Sequence, residues 1–256
     1  MLKKFTSLLF AAAAIFFYGC GSESTEPTFT VGFDADFPPY GYVENGKYTG
    51  FDLELAAGVA KRNNWKLILK PISWDAKDME LASGSIDCIW NGFTINGRED
   101  AYEWSDPYVD NSQVFLVLKD SAIKDFGGIA GKVVAVQADT PVQKALSSGG
   151  KLQLFGKSFR ALVVTPTYNN AVMELEAGSV DAVAMDIGVA QEKMKSGKFR
   201  ILDQMLFSEK YGIGFLKGNK TLRDKVQQTL IEMVKDGSAA EISQKYFKRD
   251  VLIIGR

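Results

Sequence analysis

The short apolar strand that ends in Asn91-Gly92-Phe93-Thr94 is followed four positions after Thr94 by Arg98, and these residue types suit a carboxylate receptor. A guanidinium offers a planar two-pronged donor that matches a carboxylate. Gly92 lets a ligand approach the backbone, and Thr94 adds a hydroxyl. A second apolar strand ends at Met185-Asp186, where a carboxylate could receive an ammonium group. A small zwitterion, such as a free α-amino acid, would satisfy both ends. Other chemistry is harder to find. The chain has no histidine, so it lacks the commonest general acid/base and metal ligand. It also has no Cys cluster, no GxxxxGK[ST] and no GxSxG. No catalytic residue, metal or cofactor is expected, although a carboxylate-driven enzyme stays open.

The elements that would position these groups occur twice. Met79-Glu80-Leu81-Ala82-Ser83-Gly84-Ser85-Ile86-Asp87-Cys88-Ile89 returns as Met173-Glu174-Leu175-Glu176-Ala177-Gly178-Ser179-Val180-Asp181-Ala182-Val183, a constant offset of 94. Each copy reads as a helix end, a glycine turn and a short apolar strand. A fainter echo lays Val31–Pro38 on Val134–Pro141 at an offset of 103. Two echoes in matching order imply two similar lobes with a cleft between them. Helical spacing of Phe51, Leu55 and Val59 up to Arg62, then a strand from Trp65 to Leu69, gives the β-α-β alternation of a mostly parallel sheet covered by helices. Gln113–Leu118 reads as a strand that leaves the first half for the second. Leu222, Val226, Leu230 and Val234 mark a C-terminal amphipathic helix, expected to pack back on the first lobe.

In open α/β sheets ligands bind beyond the carboxyl ends of strands. Asp34 and Gln137 occupy equivalent positions just past theirs. Thr140-Pro141-Val142-Gln143 has the form of a capping box with Pro at the first helical position, whose free N–H groups favour an anionic oxygen. Phe37 and Trp74 follow strands and could stack on a ligand side chain. Each residue also has a plainer role: Arg98 as a solvated surface charge, Asp186 and Thr140 as helix N-caps, Phe37 and Trp74 as core. Their convergence on strand ends favours a site.

The N-terminus stands apart. Lys3 and Lys4, the apolar run Phe5–Tyr18 and Gly19-Cys20 have the form of a secretory signal, too short for a comfortable membrane span. Cys20 reads as a lipid attachment site, although Phe17-Tyr18 departs from the usual residues before such a cysteine. The expected organisation is a signal peptide over 1–19, an anchor and tether over 20–28, lobe 1 over 29–114 plus 212–256, and hinge and lobe 2 over 115–211. Removal of the leader would leave Cys88 unpaired inside an apolar strand. Balanced charge, with 30 Lys+Arg against 31 Asp+Glu, and no basic stripe argue against nucleic acid as a partner.

Asp34-Ala35-Asp36-Phe37-Pro38-Pro39-Tyr40, Gly50-Phe51-Asp52-Leu53-Glu54-Leu55, Gly84-Ser85-Ile86-Asp87, Gly92-Phe93-Thr94-Ile95, Trp104-Ser105-Asp106-Pro107-Tyr108 and Lys245-Tyr246-Phe247 together resemble family 3 of the bacterial extracellular solute-binding proteins, the polar amino-acid receptors of ABC importers. The likeness runs from about Phe29 to Phe247. It implies an α/β, type II periplasmic-binding-protein fold with two mixed, mostly parallel sheets and a hinge of two crossing strands. It implies no enzyme but a monomeric, exported, lipid-anchored receptor that hands a free amino acid to permease subunits in the membrane. The resemblance puts Arg98 and the Thr140-Pro141 region on the α-carboxylate, and Gly92, Thr94 and Asp186 on the α-ammonium. It puts Phe37 and Trp74 around the side chain and Asp34 at its polar end. Cystine or another polar amino acid stays open, because Trp90, Asn91 and Met185 could reshape the pocket. Asp34 favours Gln, Arg, Lys, His or ornithine over Asp and Glu. One departure is that only Ile95-Asn96-Gly97 separate Thr94 from Arg98, where the family usually has four residues. The same scaffold also serves cyclohexadienyl (prephenate/arogenate) dehydratases and ligand-sensing modules of signalling receptors, the two rival readings.

Overall fold

A computed structural model describes residues 26–255. The signal peptide, Cys20 and most of the tether therefore lie outside the described residues. The chain runs β1 (Thr28–Phe33), β2 (Asp36–Phe37), β3 (Gly41–Glu44), β4 (Lys47–Thr49), α1 (Phe51–Arg62), β5 (Lys66–Pro71), α2 (Lys77–Ala82), β6 (Cys88–Thr94), β7 (Glu103–Trp104) and β8 (Val109–Leu118). It continues through β9 (Val133–Gln137), α3 (Pro141–Leu146), α4 (Gln153–Gly156), β10 (Ala161–Thr165), α5 (Tyr168–Ala177), β11 (Ala182–Asp186), α6 (Ile187–Met194), β12 (Phe199–Phe215), α7 (Lys220–Lys235) and α8 (Ser238–Phe247). The expected tether ends earlier than 28, because Thr28 already pairs with Lys66.

The strand order is β10-β9-β11-β8-β12-β6-β1-β5, a path with mirrored halves. In one half β1 lies parallel between β6 and β5; in the other β9 lies parallel between β11 and β10. The two parallel sets are not separate sheets. The long strands β8 and β12 pair antiparallel with each other and with their neighbouring sets, which joins both sets into one hydrogen-bonded path, while β2, β3 and β4 form a small sheet of their own. The expected lobe boundaries at 114/115 and 211/212 fall inside these two continuous strands.

The repeated phrase has a structural cause. Gly84 and Gly178 end their helices in the left-handed region, φ 73° and 76°, where a glycine is the least strained residue. Each copy then uses its aspartate in the same way. The N–H of Thr30 donates to Asp87 Oδ2 at 2.7 Å, and that of Val133 donates to Asp181 Oδ2 at 2.8 Å. The N–H of each aspartate returns a bond to the same neighbour, at 2.8 Å in both cases. These bonds link the two echoes, since Asp87 and Asp181 differ by 94 positions and Thr30 and Val133 by 103.

The core follows from alternation. Phe29, Val31 and Phe33 of β1 are buried with Leu55, Ala56 and Val59 of α1, each large side chain contributing about 2 kcal/mol of burial. The C-terminal helices pack back as expected. α7 and α8 lie on α1, the Phe247 ring sits 5.1 Å from that of Phe51, and Tyr246 Oη accepts from the N–H of Gly50 at 3.2 Å.

Candidate functional site

Between the two halves, at the carboxyl ends of β6, β9 and β11, lies a narrow cavity of about 10 Å³. Its lining is Phe37, Trp74, Asn91, Gly92, Thr94, Arg98, Gln137, Thr140, Pro141 and Asp186. These are ten of the eleven pocket residues that the sequence singles out. The eleventh, Asp34, sits one layer behind. Its Oδ1 accepts from the N–H of Asp36 at 2.8 Å and its Oδ2 from Gln137 Nε2 at 2.7 Å, so the side chain faces Gln137 rather than the cavity. Asp34 and Gln137, equivalent in the faint echo, thus bond to each other across the cleft. Burial raises the Asp34 pKa, while those two bonds oppose the rise.

The shortened turn still delivers Arg98 to the cavity. Gly97 takes φ 80°, and the N–H of Arg98 donates to Ile95 O at 2.9 Å, which closes a tight loop. The guanidinium lies 5.2 Å over the Phe93 ring, and its Nη2 donates to the carbonyl of Asp139 at 2.7 Å, in the opposite half. Thr140 caps α3 by accepting from the N–H of Gln143 at 3.3 Å. The returning half of the expected box is displaced by one residue, because Gln143 Oε1 accepts from the N–H of Asp139, not of Thr140.

Asp186 is the N-terminal flanking residue of α6 but makes no side-chain cap bond. Its Oδ1 accepts from Asn111 Nδ2 at 2.6 Å, Gln113 Nε2 at 2.9 Å and the Tyr211 hydroxyl, and its Oδ2 from Tyr168 at 2.7 Å. An amide pair and two phenols hold a buried carboxylate against the cavity, in place of a helix cap. Burial raises its pKa, although the tyrosine and asparagine bonds favour the ionised form.

Gly92 serves a neighbour more than an open approach. It takes φ 54°, and a Cβ there would meet Phe37 Cε1 at 2.7 Å and Tyr211 Cε2 at 3.1 Å. The absent side chain makes room for Phe37, which stacks on Tyr168 with ring centroids 5.9 Å apart. The Gly92 N–H is committed to Asp52 Oδ2 at 2.6 Å, and burial pushes the Asp52 carboxyl up to about 7. Gly92→Ala is expected to destabilise the fold by about 2 kcal/mol through left-handed strain and overlap with Phe37, read as a lower urea midpoint. An unchanged midpoint would show that the Phe37 ring gives way freely.

Several groups around the cavity carry no sequence signal. Lys77, fully buried, lies 5.3 Å over the Trp74 ring and reaches Asp139 of the opposite half. Glu209, Asn111 and Gln113 come from β12 and β8, outside the repeated phrase, where short polar runs read as a solvated face. Cys88 is a free buried thiol, as its apolar surroundings predict.

Residues 29–249 match the family of bacterial extracellular solute-binding proteins, family 3. The chain belongs to that family. It is 28% identical to the "Probable amino-acid-binding protein YxeM" of Bacillus subtilis (strain 168), with 98% of each chain covered. It is 30% identical to the "L-cystine-binding protein TcyJ" of Escherichia coli (strain K12), over 88% of this chain and 84% of that protein. Among solved structures, the "arginine-, lysine-, histidine-binding protein ArtJ" of Geobacillus stearothermophilus superimposes with a TM-score of 0.78 at 35% identity, covering 87% of this chain and 96% of that one. The fold is the type II periplasmic-binding-protein arrangement that the family uses. As a member of an extracellular family the chain is an exported or periplasmic protein, and its curated relatives are named as amino-acid-binding proteins, some of them of ABC transporters. Among the described residues no helix is long and apolar enough to cross a membrane.

Proposed function

We propose that the protein captures a free polar or cationic L-amino acid and delivers it to an ABC permease by closing two lobes around the ligand. The observation that carries this reading is a single cavity with a guanidinium fork, Arg98, and a buried carboxylate, Asp186, both on its lining. Arg98 takes the α-carboxylate beside the Thr140-Pro141 helix start, and Asp186 with Thr94 takes the α-ammonium. Phe37 and Trp74 flank the side chain, Asn91 and Gln137 face it, and Asp34 acts through Gln137. The lobes are 29–114 with 212–256, and 115–211, with β8 and β12 flexing where they cross. Cys20 carries the lipid that holds the receptor at the membrane. The relatives' own ligands, cystine and the basic amino acids, fall in the class proposed.

The test is a thermal-shift screen of the twenty amino acids with ornithine and cystine, followed by calorimetry of the hits. A polar or cationic member is expected to raise Tm and bind one to one, with Asp and Glu inactive. Silence across the panel, or turnover of prephenate or arogenate by the same preparation, would overturn the receptor reading.

A further inference from the structure

Glu209 has no place in the scheme above, yet it shares two hydrogen-bond donors with Asp186. It is 3% exposed, and its Oε1 accepts from Asn111 Nδ2 and from Gln113 Nε2, each at 2.7 Å. Those are the same two nitrogens that donate to Asp186 Oδ1 at 2.6 and 2.9 Å. Two amide forks therefore bridge two buried carboxylates where β8, β11 and β12 meet. The local balance of hydrogen bonding is uneven: Glu209 Oε2, Asn111 Oδ1 and Gln113 Oε1 are buried acceptors with no donor. A site with surplus acceptors and two adjacent carboxylates needs a proton or a cation, because an isolated buried charge pair of one sign is strongly disfavoured.

Among the described residues no cation pairs with either carboxylate. Tyr168 of α5 and Tyr211 of β12 face Asp186, and Tyr40 of the β2–β3 turn faces both carboxylates; burial holds all three phenols well above their ordinary pKa, so they stay protonated. Asp52 of α1 lies beyond Tyr40. The Thr94 hydroxyl of β6 approaches Glu209 and opposes the rise of its pKa. α6 packs on β8 and β12, but its Glu192 is paired with Lys195 and its Lys193 with Asn169. Asp110, Lys210 and Arg249 share a solvent-facing hollow with Glu209, and Lys144 and Lys151 another. None of these cations is within 4.0 Å of either carboxylate.

We propose that Glu209 is a further affinity-determining residue: it shares one proton with Asp186 in the empty receptor, and the ligand's α-ammonium displaces that proton. The ligand arrives as –NH3+ and remains so. The O–H bond of the shared carboxyl breaks, its proton passes to water or buffer, and both carboxylates become ionised around the incoming charge. Burial first, and the Asp186 charge second, push Glu209 up to about 7, so the pair is partly protonated near neutrality. The titration belongs to the pair rather than to either residue. The inference rests on the ammonium role given to Asp186 above.

The sign follows from linkage. Below about 7 the pair holds its proton and the ligand must expel it, so affinity falls as pH falls; above it the pair is ionised and affinity levels off. A free-state value of about 7 gives a Kd about tenfold weaker at pH 6 than at pH 8, and about half a proton released per ligand at pH 7. The tightest binder of the panel of amino acids with ornithine and cystine, histidine excluded because it titrates in this range, would be measured by calorimetry in phosphate and in Tris. Buffer-dependent enthalpy and the tenfold pH effect are expected for the native protein. Both should disappear in Glu209→Gln and persist in Asp52→Asn, since Asp52 is the other carboxyl pushed to about 7 near the cavity. Native binding without proton release, or release lost in Asp52→Asn instead, would overturn the assignment. If Glu209→Gln does not fold, Glu209→Asp keeps the carboxyl but draws it back from Asp186, and a changed pH midpoint of binding is expected; an unchanged midpoint would overturn the assignment. If no panel member binds at either pH, the receptor reading itself fails.

Discussion

Arg98→Ala is expected to leave a folded protein that no longer binds its amino acid. The residue sits at the cavity lining with its Nη2 on Asp139 O and its ring-facing side over Phe93, so its deletion removes surface contacts of the cleft and no core side chain. Charge-assisted hydrogen bonds contribute about 1.5–3 kcal/mol each, and a fork makes two with one carboxylate. The loss is thus about 3–6 kcal/mol, which is a Kd at least a hundredfold weaker. Arg98→Lys keeps the charge and loses the fork, so an intermediate affinity is expected. Calorimetry gives both numbers, and the unfolding midpoint checks the fold. Undiminished affinity in Arg98→Ala would remove the carboxylate role from this residue and move it to the α3 start at Thr140-Pro141.

Why the cavity was legible before its geometry, and its second layer was not, follows from how the chain builds it. The lining comes from strand ends inside the two echoed halves, so a repeat in sequence became a repeat in space. Asp87 and Asp181 clamp Thr30 and Val133 by identical bonds, and this aligns β6 with β1 and β11 with β9. The chemistry then begins where the copies diverge, at Thr94 and Arg98 on one side and Asp186 on the other. Asn111, Gln113 and Glu209 lie on β8 and β12, which have no counterpart phrase. The polar run Asp110-Asn111-Ser112-Gln113 places the apparent strand start at Gln113, whereas β8 begins at Val109 because those side chains alternate between solvent and the buried acid pair. Asp34 shows the converse limit. Its position past β1 was readable, but not that the N–H of Asp36 and the amide of Gln137 would use its oxygens.

Lys77→Met is expected to open the empty cleft and weaken binding about tenfold while leaving the fold as stable as before, or more so. Lys77 is 1% exposed in its side chain, and its carboxylate partner, Asp139, is 50% exposed. Of its other contacts, the Trp74 carbonyl at 3.3 Å is neutral and the Trp74 and Phe93 rings are apolar. If the two halves separated, Asp139 would be hydrated readily, but Lys77 would be left as a desolvated cation without a counter-charge, which costs several kcal/mol. The pair therefore penalises opening in the ligand-free protein. Methionine has similar length and fills the same space between Trp74 and Phe93 without that penalty, so the open state becomes accessible. A receptor that binds only when closed has an apparent Kd divided by its closed fraction, so a closed fraction cut to about a tenth weakens binding about tenfold. The fold need not suffer, because replacing a buried ion pair with apolar packing is often neutral or stabilising. Small-angle scattering of the empty protein should give a larger radius of gyration for Lys77→Met and for Asp139→Asn, with the double variant no larger than Asp139→Asn alone, since both remove the Lys77–Asp139 pair and Asp139→Asn also loosens the 4.0 Å approach of Arg98. Additive effects, or an unchanged radius with weaker binding, would mean that Lys77 supports Trp74 from behind and does not hold the cleft shut.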